Sequence, residues 1–293
     1  MRIAGIDAGG TKTDFLLCDE NGQRLSSLTL GSANPNDVGI DACVSLLTRG
    51  LSELCSDGAP DAVFAGVSGG GYGEYASRIK LALSSLYPHS VIENGPDAVN
   101  LIYCSSRIDD FESSVASLIC GTGTALFIES KRGLFRRFGW GHLFDNGGSG
   151  YDFGRDALRA LLDAEECPFS DLSTPLFSLI REKLGSSAHD AIPSLYRGGK
   201  PYIASFAPLV FEALRQGDPL ACSILDLNTD ILASRLALVK AEIGNIDEVV
   251  CAGGLFKAPE FLESLASKTD LRLFVPDVQP VVGAYRRALR LLR

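Results

Sequence analysis

Ile6-Asp7-Ala8-Gly9-Gly10-Thr11-Lys12-Thr13-Asp14 decides how this chain reads. One apolar run, Ile3 to Ile6, leads into it, and a second, Phe15-Leu16-Leu17-Cys18, leads away. Between them stand an acid, two glycines, hydroxyls and one lysine, which reads as strand, tight turn, strand. Glycines at such a turn let the backbone take positive φ and come close to a ligand. The amides exposed there form a concavity for an anion. Asp7 at the strand end suits a hydrated Mg²⁺, and Lys12 suits a phosphate. The segment is therefore expected to be a phosphate-gripping hairpin. A Walker A loop does not fit, because it needs Gly, four residues, Gly, Lys and then Ser or Thr. The spacing runs from Gly5 to Gly10, but Thr11 stands in the lysine position and the loop feeds a strand rather than a helix. For this segment alone, an ordinary hairpin turn is the plain alternative.

With 293 residues, the length suggests about two domains. Apolar residues make up 46% and charged ones 22%, enough to build a real core in a globular protein. The net charge of −9 argues against nonspecific binding to nucleic acid or to an anionic membrane, both of which need basic patches. It leaves a nucleotide site open, since such sites work through local backbone dipoles. No apolar run approaches the roughly 18 residues that span a bilayer. The first residues read as core strand rather than as a secretory leader. The eight cysteines form no Cys-x-x-Cys pair and fall mostly in apolar segments, so reduced buried thiols and a cytoplasmic location are expected. The three histidines show no metal-binding spacing, so no zinc site is expected.

Outward from the first hairpin, Glu20-Asn21-Gly22 signals a turn, and Arg24 to Leu30 reads as a third strand. Ser32 to Asn36 reads as a loop. Ile40, Val44, Leu47, Leu51 and Leu54 recur at helical spacing over 40–54. Asp61 to Val67 is a buried strand ending at Ser68-Gly69-Gly70-Gly71. A helix comes next over roughly 74–86, then a short strand to Glu93, the turn Asn94-Gly95-Pro96-Asp97, and a helix through Leu101 and Ile102. Strands alternating with helices predict an α/β domain. Near residue 115 the layout begins again. Val115 to Cys120 is a strand, Gly121-Thr122-Gly123-Thr124 a turn, and Leu126-Phe127-Ile128 a second strand. Lys131-Arg132-Gly133 closes it, and Leu134 to Trp140 is a third strand. Two related lobes, residues 1–114 and 115–276, with ligand between them, are the expected arrangement. The C-terminal helix, about 277–293, is placed on the first lobe. Helices are expected over roughly 150–165, 172–184, 203–216 and 219–243, and a strand from Glu248 to Ala252 runs into Gly253-Gly254. Leu271 to Val275 is a short strand, and 281–292 a basic helix. Glycine turns thus close three strands. The simplest account is one hairpin per lobe on a polyphosphate, with Gly253 and Gly254 leaving room for a purine ring. For that last pair, ordinary strand-to-helix punctuation is an equal reading.

In these motifs the sequence resembles the sugar-kinase, actin and heat-shock ATPase superfamily. Within it, the chain is similar to the N-acetylglucosamine kinases grouped with the BadF/BadG/BcrA/BcrD ATPases, over essentially its whole length. Asp7-Ala8-Gly9-Gly10-Thr11-Lys12-Thr13 matches the first phosphate motif, Cys120-Gly121-Thr122-Gly123-Thr124 the second, and Val250-Cys251-Ala252-Gly253-Gly254-Leu255 the adenosine motif. Gly139-Trp140-Gly141-His142 and Gly148-Ser149-Gly150-Tyr151 are the stretches most particular to the branch. The resemblance implies an α/β, two-lobed, actin-like ATPase fold of the ribonuclease H-like type. Each lobe would be a mixed sheet flanked by helices, with a cleft between the lobes. It also implies ATP, Mg²⁺ held by Asp7 through water, and a small sugar substrate, and it leaves a homodimer open.

The resemblance also assigns roles by position. Asp97 aligns with the catalytic aspartate, and a carboxylate there can accept the proton of an attacking hydroxyl; its plain alternative is a helix cap. Asn34 aligns with a sugar-contacting asparagine, the alternative being a turn residue before proline. Trp140 and His142 line the approach to the sugar in relatives, and Gly139 and Gly141 of the same stretch are counted with the sugar site; core packing is the alternative, and for His142 a structural hydrogen bond is the favoured role. Relatives read Gly-Asp-Glu-Gly-Ser where this chain has Asp145-Asn146-Gly147-Gly148-Ser149. Asn146 replaces an aspartate that accepts a sugar hydroxyl. Asparagine can still accept and donate, more weakly than a charged group, and Asp145 is one residue away to substitute. Animal relatives follow the sugar asparagine with an aromatic residue, where this chain has Asn36. The implied reaction is ATP-dependent phosphorylation of an amino-sugar hydroxyl, O6 of N-acetylglucosamine first. An ATPase that activates a partner enzyme, or a non-catalytic sugar or nucleotide sensor, are the competing readings. The first of these uses closely spaced cysteines that this chain lacks.

Overall fold

The computed structural model describes residues 1–105, 114–130, 132–145, 147–244 and 246–293. The chain runs β1 (Ile3–Ala8), β2 (Thr13–Cys18), β3 (Arg24–Leu30), α1 (Pro35–Val38), α2 (Ile40–Leu54), β4 (Ala62–Val67), α3 (Gly73–Leu86), β5 (Val91–Gly95) and α4 (Ala98–Ile102). It continues with β6 (Ser114–Cys120), β7 (Thr124–Ser130), β8 (Gly133–Phe138), α5 (Gly150–Glu166), α6 (Pro175–Leu184), α7 (Ala188–Ala204), α8 (Ala207–Arg215) and α9 (Pro219–Ile243). β9 (Ile246–Ala252), α10 (Pro259–Ala266), β10 (Arg272–Phe274) and α11 (Pro280–Arg290) complete it. Two compact units result, Met1–Phe111 with Pro276–Arg293, and Glu112–Val275.

The first unit is built on a five-stranded sheet ordered β3-β2-β1-β4-β5. β1 pairs antiparallel with β2 and parallel with β4, so Asp7 stands opposite Asp14 on one side and Gly66 on the other. β2 is buried along its whole length because helices cover both faces of the sheet. On one face α2 lies so close that a Cβ on Gly50 would stand 2.3 Å from the Phe15 ring. On the other, a Cβ on Gly5 would stand 2.3 Å from the Tyr285 backbone nitrogen of α11. Ile6, Phe15, Leu47, Leu51 and Ile79 fill the core on the α2 side. β3 alternates exposed and half-buried residues, as an edge strand with one solvated face should.

The second unit repeats this plan: its sheet is ordered β10-β9-β6-β7-β8, with β6 antiparallel to β7 and parallel to β9. The central strands β1 and β6 thus each end in a glycine hairpin, as the repeated sequence pattern predicts. The units diverge after the third strand, where the second carries the five helices α5 to α9. Phe153 of α5 stacks on Phe211 of α8, with ring centroids 5.2 Å apart, and meets Phe261 of α10 edge-on. No helix among the described residues is long and apolar enough to cross a membrane.

Three expectations need correction. The third strand of the second unit ends at Phe138 rather than Trp140, because Gly139 turns the chain at φ 103°. The segment read as a plain loop before residue 40 contains a short helix, Pro35–Val38, started by Asn34. Residues 188–204 are helical although no helix is expected before 203, since Pro193, Gly198, Gly199 and Pro201 all read as breakers. The breakers act only locally: Gly199, at φ 56° and ψ −155°, kinks α7 without ending it.

The second unit also depends on a carboxylate that no motif marks. Asp218, 1% exposed, caps α9 by accepting N–H bonds from Leu220 (2.8 Å) and Ala221 (3.1 Å). Its other oxygen accepts the Leu176 N–H of α6 at 2.8 Å. Asp218→Ala leaves three donors unpaired, two of them buried, and is expected to cost about 2–3 kcal/mol. Urea unfolding of the variant checks this, and wild-type stability would show that the cap carries no energy.

Candidate functional site

In the first unit the sequence-predicted residues gather at the carboxyl ends of β1, β4 and β5, the edge where open α/β sheets hold ligands. The hairpin after β1 is closed by Gly9 N–H to Lys12 C=O (2.9 Å) and tied down from two sides. Ser68 N–H donates to Ala8 C=O at 2.8 Å, and Ala33 N–H to Gly9 C=O at 3.3 Å. The Thr13 hydroxyl donates to Gly31 C=O at 2.8 Å. Gly10 and Thr11 are exposed at the tip. Neither Gly9 nor Gly10 takes a positive φ, contrary to expectation. Gly10 contributes space, since a Cβ there would meet nothing nearer than Asp37 Oδ2 at 3.4 Å, whereas a Cβ on Gly9 would press on the Lys12 C=O at 3.3 Å. Lys12 does not stand free for a phosphate: its ammonium pairs with Asp14 at 2.5 Å.

Asp7 is held by Asn100, whose Nδ2 donates to its Oδ1 at 2.6 Å. Burial pushes the Asp7 carboxyl up to about 6, the Asn100 bond opposes this, and the charges of Asp97 and Asp14 add to it. Asp97 sits just beyond β5 at the start of α4. Its Oδ1 accepts the Ala98 N–H at 3.0 Å, and the Ser68 hydroxyl also bonds to it. Burial raises this carboxyl from its ordinary value, with the two hydrogen bonds opposing. A plain cap bonds the N–H two or three residues into the helix from an extended backbone. Asp97 has helical dihedrals, φ −55° and ψ −27°, and reaches only the first N–H, so capping explains it poorly. Asn34 accepts the Asn36 N–H at 3.0 Å. A Cβ on Gly69 would stand 2.5 Å from Asn34 Oδ1 and 2.3 Å from Asn36 Nδ2, so the loop after β4 packs on this amide pair. Asn34, Asn36 and Asp37 make a polar rim beside Gly10. Sequence reasoning misses Ser68, Asp37 and Asn100. Only the Ser-Gly-Gly-Gly run at the end of β4 offered a signal for the first.

In the second unit, the turn after β6 is closed by Gly121 N–H to Gly123 C=O at 2.9 Å. The carbonyls of Gly121 and Thr122 accept the first N–H groups of α5, from Gly150 (2.7 Å) and Tyr151 (3.3 Å). A Cβ on Gly121 would meet nothing within 4 Å, so the space above the turn is open. Gly253, at φ 110°, lies against β6, where a Cβ would stand 2.3 Å from Cys120 C=O. The second and third glycine turns are thus adjacent, and a pocket of about 660 Å³ opens beside them, lined by Gly121, Thr122, Gly254, Leu255, Pro208 and Phe211. A smaller pocket of about 210 Å³, lined by Gly123, Thr124, His142, Asp145, Asp152 and Lys200 among others, opens at the same turn. Thr124 pairs with Cys120 where Thr13 pairs with Ala8, which sets the apolar Ile119 at the register of Asp7; the strand-end acid belongs to the first unit alone. A larger cavity, about 860 Å³, lies between α11 and the β2–β3 ladder, and none of Asp7, Asn34 or Asp97 lines it.

The stretch 139–145 folds as a tight turn. Gly139 and Gly141 both take positive φ, and Asp145 Oδ2 accepts the Gly139 N–H at 3.0 Å and the Trp140 N–H. One Asp145 oxygen is therefore committed to the backbone. Trp140 is 62% exposed, with the Arg136 guanidinium 4.6 Å over its ring, so core packing does not account for it. His142 packs on the Tyr151 ring at 4.8 Å. Asn146 lies outside the described residues. Gly147 has a local cause: at φ 82°, a Cβ would stand 2.6 Å from Ile231 of α9, leaving no room for the glutamate that the resemblance expects.

This chain is 28% identical, over 289 residues, to an N-acetyl-D-glucosamine kinase of Dictyostelium discoideum, covering 90% of this chain and 88% of that protein. It is also 28% identical to an N-acetylmuramic acid/N-acetylglucosamine kinase of Clostridium acetobutylicum, over 76% of this chain and 74% of the relative. Its structure superposes on that of a candidate N-acetylglucosamine kinase from Chromobacterium violaceum with a TM-score of 0.70. The identity there is 21%, and the match spans 100% of this chain and 99% of the other, a likeness of fold. With residues 4–286 matching the family and both of its glycine hairpins at equivalent strand ends, the chain belongs to the BadF/BadG/BcrA/BcrD ATPase family.

Proposed function

We propose that this protein is an ATP-dependent kinase that phosphorylates a hydroxyl of an amino sugar, with O6 of N-acetylglucosamine as the first acceptor to test. The observation that carries the reading is the pairing of Asp97 with Asp7. Two half-buried carboxylates stand at the carboxyl ends of β1 and β5, the strands on either side of β4, beside a glycine hairpin, and the charge of Asp97 raises the pKa of Asp7. Asp97 accepts the hydroxyl proton as that oxygen bonds to the γ-phosphorus and the bond to the β-phosphate oxygen breaks, leaving ADP. Positioning and charge neutralisation account for most of the catalysis in such transfers. Each unit's glycine hairpin offers amides at its exposed tip, at Gly10 and Thr11 in the first and at Thr122 in the second, to phosphate oxygens. Gly253 and Gly254 leave the 660 Å³ pocket open for the nucleoside. Asn34, with Asn36 and Asp37 beside it, presents amide and carboxylate groups to sugar hydroxyls. Trp140 offers an exposed ring face to the sugar, with Gly139 and Gly141 shaping its turn and Asp145 bracing it. Asn146 completes the sugar contacts in this reading.

Among the described residues no three ligating side chains converge on one point. Mg²⁺ keeps several waters and takes one or two carboxylates plus phosphate oxygens. Asp7 supplies the carboxylate, aimed by Asn100. When bound, the ion neutralises charge on the β and γ phosphates.

ADP release with Mg-ATP, measured against a panel of N-acetylglucosamine, N-acetylmuramic acid, glucosamine and glucose, tests the proposal. Release that depends on an amino sugar is expected. Equal release with and without sugar would make the protein an ATPase, and no release with any sugar would remove the kinase reading.

A further inference from the structure

The structure assigns Lys200 as a phosphate contact for the nucleotide, an inference that rests on the kinase reading of the second unit's glycine turn. Lys200 is the first residue past the kink at Gly199, where φ 56° and ψ −155° break the helical run of α7. The kink sets the side chain on the turn: a Cβ on Gly123 would lie 2.8 Å from Lys200 Nζ. The larger pocket, with Gly121, Thr122 and Gly254 in its wall, also takes Pro201, the next residue of α7. The smaller pocket takes Gly123 and Lys200 itself. A nucleoside in the first pocket therefore runs its phosphate chain past the turn and onto this ammonium.

The charges around it favour the assignment. Lys200 is half-buried and makes no ion pair among the described residues. It is the one Lys or Arg among the described residues lining the smaller pocket. Two carboxylates share that pocket, and both have other partners. Asp145 Oδ2 accepts the Gly139 and Trp140 N–H groups. Asp152 closes the capping box with Ser149 and pairs with Arg155 at 3.1 Å. In the larger pocket, Arg215 is engaged by Glu260 at 2.6 Å, and Lys257 is exposed. Lys12 of the first unit is engaged by Asp14. Lysine acts at phosphates as a compact point charge, and its position past a backbone break fixes where that charge sits.

Calorimetric titration of the full-length protein with ATP and, separately, with adenosine tests this on wild type, Lys200→Met and Lys200→Arg. Losing one charge-assisted contact is expected to weaken ATP binding of Lys200→Met about 10- to 100-fold. Adenosine binding should be unchanged, and Lys200→Arg should keep most of the ATP affinity. Retained adenosine binding shows that the variant folds. Wild-type ATP affinity in Lys200→Met, or equal loss of ATP and adenosine, overturns the assignment, the second result pointing to a structural role. Wild-type protein that binds neither ligand removes the kinase reading, and the assignment with it.

Discussion

Replacing Asp97 by Asn is expected to lower kcat by about 10²- to 10⁴-fold, the usual contribution of a positioned general base, while ATP affinity stays at the wild-type value. The substitution is almost isosteric, and Asn Oδ1 can still accept the Ala98 N–H that Asp97 Oδ1 accepts at 3.0 Å. The start of α4 is therefore preserved, and what is lost is a negative charge able to take a proton. Burial raises the Asp97 carboxyl from its ordinary value, which strengthens it as a base. Asp97 lines neither of the pockets at the second unit's glycine turns, so the nucleotide contacts made there should not sense the change. Steady-state kinetics together with ATP titration separate the two effects. A variant that phosphorylates sugar at the wild-type rate would show that Asp97 is not the base. One that loses ATP binding in parallel would show that it acts through the fold.

Much of the fold was legible because local pattern and tertiary context agree. The spacing of Ile40, Val44, Leu47, Leu51 and Leu54 predicts α2 at its observed limits, since these residues form the stripe packed on β2. The repeated strand, glycine turn, strand layout predicts both sheets, because a central strand with a hairpin on one side and parallel strands on the other needs that order. α7 is not legible: prolines and a Gly-Gly pair lower its local propensity, and packing against α5 overrides them. The hairpin glycines are legible as a site but not in how they work, because Gly9 allows a close approach to the Lys12 carbonyl and Gly10 leaves open space, neither through unusual dihedrals. Asn100 and Lys200 carry no motif, and Ser68 only the glycine run that follows it. Each reaches the site by long-range packing, 93 positions separating Asn100 from Asp7. Asp145 was placed near the sugar by resemblance alone, and only the folded turn reveals that one of its oxygens braces Gly139 and Trp140.

Asn100→Asp is expected to cost the first unit about 3–5 kcal/mol at pH 8, the range for a buried charge left without a partner, with the deficit shrinking as pH falls. Asn100 is fully buried, and its neighbours leave it nowhere to go. A Cβ on Gly66 would stand 2.3 Å from its side-chain amide, and a Cβ on Gly283 of α11 would stand 1.8 Å from its backbone carbonyl oxygen. The new carboxylate would therefore stay where the amide donates to Asp7 at 2.6 Å, turning a donor into a second anion. Asp7 already has its carboxyl pushed up to about 6 by burial, with Asp97 and Asp14 adding their repulsion. Like charges at that distance raise a carboxyl pKa further, so the pair holds a proton in the folded state that the unfolded chain releases near pH 4. A folded state that binds more protons loses stability as pH rises, from about 4 up through the raised folded value. The gap in melting temperature between wild type and Asn100→Asp, measured in metal-free buffer, should therefore widen from pH 5 to pH 8. Asn100→Leu, which loses the same hydrogen bond without adding charge, should show a smaller gap that widens less, since losing the donor alone lets the Asp7 carboxyl rise only by what that bond had held down. If the Asn100→Asp gap were constant across that range, the Asp7 carboxylate would not feel residue 100 as a charge, and the amide's role in holding it would have to be given up.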